Sequence, residues 1–262
     1  MKTKNVVGVM DSGVGGLTIL KNLVKLMPKC DFAYFGDTLN LPYGSKTKDE
    51  ILNYNRKILN FFLKKDIKTV VIACNTTSAL TYEELKKEFE PKGMKIFPLI
   101  QSIAKEVAKG LNSGDCVCVL STKATADSGK YGEEIRKSNP NLKVVEIPCS
   151  GFVEIVENCA YNQPASLELV EQKMQIVIKN SAKRVVLGCT HYPYLIDLLS
   201  KFAPTEIFFN PSLALAQIVS SKVSNEGEGR IEFFVTKNPQ DFVRNASFFF
   251  DIKDEVKLVE LA

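Results

Sequence analysis

No apolar run in this chain approaches the roughly 20 residues needed to span a bilayer, so membrane insertion is not expected. The apolar strand near the N-terminus is cut off by Asp11, too soon to serve as the core of a signal peptide. The protein is therefore expected in the cytoplasm. Basic residues form no stripe. The lysines behind the net charge of +4 are scattered in pairs such as Lys64-Lys65 and Lys86-Lys87, the mark of solvated helix faces, and no nucleic-acid partner is expected. Cys-x-x-Cys pairs are missing, which argues against dithiol redox work. Zinc-type ligand spacings are missing too, and no metal site is expected. Seven cysteines, odd in number and irregular in spacing, fit a reducing compartment without structural disulfides. Histidine occurs once, at His191.

What is present, 45% hydrophobic and 24% charged residues, is a globular composition and neither a disordered nor a fibrous one. A chain of 262 residues holds one large domain or two of ordinary size. A degenerate internal repeat favours two. VVIACNTTSA, Val70 to Ala79, and VVLGCTHYPY, Val185 to Tyr194, share one design: a short β-branched run, a cysteine, then small polar residues opening a helical pattern. An apolar run that stops abruptly at polar residues reads as a buried parallel strand meeting its C-terminal loop, where α/β sheets bind ligands. Cys74 and Cys189 are separated by far more chain than one β-α-β unit holds, as befits one position in two successive lobes. The expected fold is α/β: two similar Rossmann-like lobes with largely parallel sheets and the active site in the cleft between them. The lobes are expected over 1–98 plus 209–262, the tail being too small for a domain of its own, and over 99–208. Pro98 is a candidate crossing point. The sequence leaves room for a homodimer without pointing to an interface.

The first strand is expected over Asn5 to Met10, then a glycine-rich turn, DSGVGG, and a helix from Leu17 to about Met27. Gly13 and Gly15, with Asp37 ending the next strand, raise a dinucleotide site. Thr18 stands where the third glycine belongs, and Asp11 puts a carboxylate beside the would-be pyrophosphate. Without a phosphate, the turn still offers backbone N–H groups to a carboxylate, and Asp11 could serve an ammonium group or a thiol. The loop FGDTLNLPYGS carries Tyr43, which on its own reads as a packed aromatic, and leads to a helix opened by Thr47 and Glu50 in capping-box spacing. One helix is expected from Cys74 to about Glu90, and another over Tyr192 to Phe202. Cys116 and Cys118 share one face of a strand and read as core. Glu154 and Glu157 fall on one helical face.

Any single free cysteine is by default a core residue. Cys74 and Cys189 differ because each is followed by hydrogen-bonding residues, Asn75, Thr76 and Thr77 in one case, Thr190 and His191 in the other. A thiol is mostly protonated at neutral pH, and a helix N-terminus or an imidazolium lowers its pKa. Three classes compete: a racemase or isomerase using both thiols, a cysteine hydrolase, and a ligand-binding module. A hydrolase needs only one nucleophile, and a binding module would tolerate serine at both positions.

DSGVGGLTIL, YFGDTLNLPYG, VVIACNTTSA and GCTHYPYL, in that order over nearly the whole chain, resemble the glutamate racemase family. The resemblance implies two α/β lobes with glutamate between them, no cofactor, and D-glutamate supplied to peptidoglycan. It carries over Cys74 and Cys189 as the two acid/base residues. Asp11 and Ser12, Tyr43 and Gly44, Asn75 and Thr76, and Thr190 and His191 match the family's substrate-contacting pairs. Asp11, His191 and Glu157 match its auxiliary groups, and Thr122 and Thr125 its second-lobe hydroxyls. Around Glu157 the chain departs from its relatives, with Ser150 and Glu154 at positions where they often have proline. Aspartate racemases share the architecture, so aspartate is the alternative substrate.

Overall fold

The computed structural model describes residues 6–247 and 249–261; Asn5 lies outside them. In chain order the elements run β1 (Val6–Asp11), α1 (Leu17–Leu26), β2 (Asp31–Gly36), α2 (Lys48–Lys64), β3 (Thr69–Ile72), α3 (Asn75–Leu80), α4 (Tyr82–Phe89), β4 (Lys95–Pro98) and α5 (Leu99–Ala108). They continue with β5 (Cys116–Ser121), α6 (Lys123–Ser128), α7 (Lys130–Ser138), β6 (Lys143–Pro148), α8 (Phe152–Glu157), α9 (Pro164–Lys179), β7 (Arg184–Gly188), α10 (Ile196–Leu199) and β8 (Phe208–Phe209). The last are α11 (Pro211–Ser220), β9 (Ile231–Val235), α12 (Pro239–Ala246) and β10 (Val256–Leu258). The chain divides into two compact units, residues 1–102 with 212–262, and residues 103–211.

The first unit holds a sheet in the order β10-β9-β2-β1-β3-β4, all of its pairs parallel. The second holds β6-β5-β7-β8, again all parallel. The inner order β2-β1-β3-β4 and the order β6-β5-β7-β8 are the same arrangement met twice, so the expectation of two similar α/β lobes is borne out. Apolar runs dictate it: Val7, Val9 and Met10 of β1 and Val70 to Ile72 of β3 are buried on both faces, as parallel strands flanked by helices require. Gly8 shows how tightly α2 is seated, because a Cβ there would lie 3.1 Å from the Phe62 ring. Full burial of that ring contributes on the order of 2–3 kcal/mol. The capping box that starts α2 is present, with Thr47 and Glu50 each bonding the other's backbone N–H.

Several elements differ from expectation for local reasons. The single helix expected after Cys74 is two, because the Thr81 hydroxyl donates back to the Thr77 carbonyl, 2.9 Å away, and the backbone leaves helical geometry there. The helix expected over Tyr192 to Phe202 is a 3₁₀ turn at Tyr192–Leu195, with Pro193 in its first turn, followed by the short α10. Helix α12 was not expected at all, although Pro239 at its start is a recognised helix-opening signal. Its Phe242 packs 6.0 Å from the Tyr34 ring. Pro98 is the last residue of β4, paired with Ile72.

Candidate active site

The sequence-predicted residues fall into two groups, one in each unit, both beyond the carboxyl ends of the strands. In the first unit Asp11 closes β1 and is 3% exposed. Its Oδ2 accepts hydrogen bonds from the backbone N–H groups of Gly13 (3.1 Å) and Gly16 (3.0 Å). This corrects the expectation of a turn with free N–H groups, since two of them serve Asp11. It also rules against the dinucleotide reading, because a carboxylate occupies donors that a pyrophosphate would need. Gly16 permits the arrangement by close approach: a Cβ there would sit 2.6 Å from Asp11 Cβ and 2.9 Å from Tyr34 Oη. Tyr34 in turn donates to the Gly13 carbonyl at 2.7 Å.

Cys74 is the residue immediately before α3, 6% exposed, with its thiol 3.9 Å from Ser12 Oγ. Asn75 and Thr76, the first residues of α3, are buried beside it. Tyr43 and Ile51 pack around the thiol. The Tyr43 hydroxyl donates to Asp37 Oδ2 at 2.6 Å, so the packed-aromatic reading of its ring holds and its polar end is committed within the protein. Asp37 is fully buried and also accepts from Asn40 (2.9 Å) and Thr236 (2.7 Å). It is thereby the anchor of the loop that carries Tyr43 and the half-buried Gly44, and not a ribose ligand.

In the second unit Cys189 follows β7 in the place that Cys74 takes after β3, and is 7% exposed. Its thiol lies 3.9 Å from Nδ1 of His191, which is 3% exposed. On the other side of the imidazole, Nε2 is 3.3 Å from Glu157 Oε1, an ion-pair distance without the alignment of a hydrogen bond. Burial alone would lower the imidazole pKa; the Cys189 sulfur and the Glu157 carboxylate outweigh it and raise it to about 10. Thr190 is buried next to Cys189. Thr122 caps α6, and its hydroxyl lies 3.0 Å from that of Thr125. Of the two devices expected at the thiols, a helix N-terminus lies at Cys74, which immediately precedes α3, and the imidazole of His191 lies beside Cys189.

Of four buried tyrosines near the thiols, sequence reasoning singled out only Tyr43 and passed over Tyr34, Tyr131 and Tyr192. Burial first, and negative neighbours second, raise all four phenols well above their ordinary pKa: Asp11 and then Cys74 for Tyr34, Asp37 ahead of Cys74 for Tyr43, Glu146 ahead of Cys189 for Tyr131, and Cys189 for Tyr192. Each thiol thus has two buried phenols that stay protonated. The signal for Tyr192 was its place in HYPY; Tyr34 and Tyr131 carried none. Among the described residues, no three His, Cys, Asp or Glu side chains gather where they could hold a metal ion, and no helix is long and apolar enough to cross a membrane.

Comparison with known proteins fits this geometry. Residues 7–216 match the family model described as Asp/Glu/Hydantoin racemase. The chain is 33% identical to the glutamate racemase of Carboxydothermus hydrogenoformans, over 97% of this chain and 96% of that one. The crystal structure of glutamate racemase from Francisella tularensis subsp. tularensis SCHU S4 in complex with D-glutamate superposes with a TM-score of 0.89 at 28% identity, covering 98% of each chain. That of Thermus thermophilus in complex with beta-chloro-D-alanine gives 0.85 at 30% identity, covering 98% of each. With a family model matched over residues 7–216 and a relative 33% identical over nearly its whole length, the chain belongs to the Asp/Glu/hydantoin racemase family.

Proposed function

We propose that this racemase interconverts L- and D-glutamate by transferring protons at Cα between two thiols. The observation that carries the reading is the repeat itself: in each unit a buried cysteine follows the third strand, with α3 beginning just after Cys74 and His191 beside Cys189. The thiolate of one cysteine takes the Cα proton, forming S–H as C–H breaks, and the electron pair passes into the α-carboxylate. The other thiol then delivers its own proton to the opposite face. A Cα proton is a very weak acid, so fixed hydrogen bonds must stabilise the carbanion-like transition state. Asn75, Thr76 and Thr190 suit the α-carboxylate, Asp11 and Ser12 the ammonium end and the Cys74 thiol, and the Gly44 backbone the side-chain carboxylate. His191, held by Glu157, stabilises the Cys189 thiolate, while Thr122 and Thr125 line the same half of the site. Neither metal nor organic cofactor enters this scheme, and the D-glutamate formed would feed peptidoglycan synthesis in the cytoplasm. Glutamate is preferred over aspartate because the relatives named above are glutamate racemases.

The test is racemisation of both amino acids in deuterated buffer. Product glutamate should carry deuterium at Cα from the first turnovers while recovered substrate stays protiated, because the delivering thiol has exchanged with solvent and the removing thiol holds the returning proton. Equal early deuterium in substrate and product would reject two separate bases, and faster turnover of aspartate would reject the substrate.

A further inference from the structure

Helix α3 begins with four consecutive buried polar residues, Asn75, Thr76, Thr77 and Ser78, of which the proposed chemistry uses only the first two. Thr77 and Ser78 are fully buried, and each is held by a side chain from another helix. From α2, Asn55 Nδ2 donates to Thr77 Oγ1 at 3.2 Å. From α5, Gln101 closes a ring with Ser78: the Ser78 hydroxyl donates to Gln101 Oε1 (2.8 Å), and Gln101 Nε2 donates to the Ser78 carbonyl (3.1 Å). The same hydroxyl accepts from the Ile100 N–H at 3.0 Å.

Asn55 is out of place for a residue that only packs. It is 0% exposed and occupies the apolar stripe of α2 formed by Ile51, Ile58 and Phe62, where helical periodicity calls for a leucine. Asparagine is also a poor residue for a helix interior. Its Oδ1 has no hydrogen-bond partner among the described residues, a desolvation cost that an apolar side chain there would not carry. A helix of six residues has no stability of its own, and its position is whatever its neighbours impose. That position sets Cys74, whose carbonyl accepts from the Ser78 N–H at 3.0 Å.

We propose that Asn55, through Thr77, and Gln101, through Ser78, are positioning residues that fix α3 and with it the Cys74 thiol against the reacting carbon. The inference rests on the two-thiol reading above. A displacement of about 1 Å at a reacting group costs up to about 100-fold in rate, so Asn55→Leu is expected to lower kcat by roughly 10- to 100-fold with KM little changed.

The discriminating measurement uses each enantiomer of glutamate with deuterium at Cα. If Asn55→Leu slows transfer at Cys74 alone, the isotope effect on kcat/KM rises in the direction in which Cys74 removes the deuteron. It falls in the other direction, in which Cys74 delivers a solvent proton. Cys74→Ser sets the sense of the divergence, and Asn55→Leu should follow it. A purely structural role lowers kcat in both directions with both isotope effects as in wild type, and that result overturns the proposal. Should Asn55→Leu not fold, Thr77→Val removes the same bond with little change of shape, and Thr77→Ser, which keeps the acceptor, should restore the wild-type isotope effects. Wild-type protein that racemises no glutamate rejects the function itself, whereas wild-type racemisation with unaltered isotope effects in the variants rejects only the positioning role.

Discussion

The chain has one histidine, so the protonation of His191 is read from a single imidazole signal, and the structure fixes what that signal should do. At an effective dielectric constant of about 20, a thiolate at the observed 3.9 Å attracts an imidazolium by about 4 kcal/mol, and a carboxylate at 3.3 Å by about 5 kcal/mol. The imidazole is raised from 6.5 to about 10, a net preference for the charged form of about 5 kcal/mol. The missing 4 kcal/mol or so is the penalty of burial, about three pKa units, within the range known for a fully buried group. Each partner is thus worth about as much as burial takes away. Cys189→Ser leaves Glu157 to cancel the burial, and His191 should titrate close to its ordinary value. Glu157→Gln should do the same. The double variant should titrate well below it. The assay is the pH dependence of the imidazole nitrogen shifts in histidine-labelled protein. An imidazole still titrating near 10 in Cys189→Ser would refute the pairing with the thiolate, and one titrating at its ordinary value in wild type would refute the whole balance.

Cys74→Ala and Cys189→Ala should each abolish racemisation while leaving far-UV circular dichroism and the melting transition nearly unchanged; full turnover in either variant would reject the assignment. His191→Asn should lower turnover by roughly 10- to 1,000-fold, the lower range of general acid–base effects, and unchanged kinetics in both directions would return this residue to a structural role. Gly16→Ala should destabilise the fold by about 1–3 kcal/mol, since its methyl would fall 2.6 Å from Asp11 Cβ, and calorimetry finding an unshifted transition would refute that account. Activity should survive chelation and dialysis; loss restored by added zinc or pyridoxal phosphate would contradict the thiol-only chemistry.

What the sequence makes legible is whatever depends on short-range pattern. Val70 to Ile72 and Arg184 to Gly188 advertise parallel strands by composition, so the positions of Cys74 and Cys189 at strand ends could be read directly. The Thr47 capping box is similarly local. Relations that need the third dimension stayed hidden. Asp11 reads as a free carboxylate because nothing in DSGVGG says that its oxygen will turn back on Gly13 and Gly16. Asp37 has the sequence offset of a ribose ligand, and its real partners Tyr43 and Thr236 do not show in the sequence because they come from a loop and from a segment near the end of the chain. The break at Thr81 was missed because a β-branched hydroxyl bonding back along a helix looks, in sequence, like any other helical threonine.

The hydrogen bond from Thr236 to Asp37 joins positions 199 residues apart, and this has a consequence for the protein as it is made. Translation delivers the whole of residues 103–211 before Thr236 or β9 exists. Until then β2 is an open parallel edge, with Phe32, Tyr34 and Phe35 in it, and such an edge invites pairing with other chains. The growing chain therefore exposes that edge throughout the synthesis of residues 103–211, when unpaired strands are most open to misassembly. Release of the last segment closes that edge and, by the same event, locks the loop that bears Tyr43.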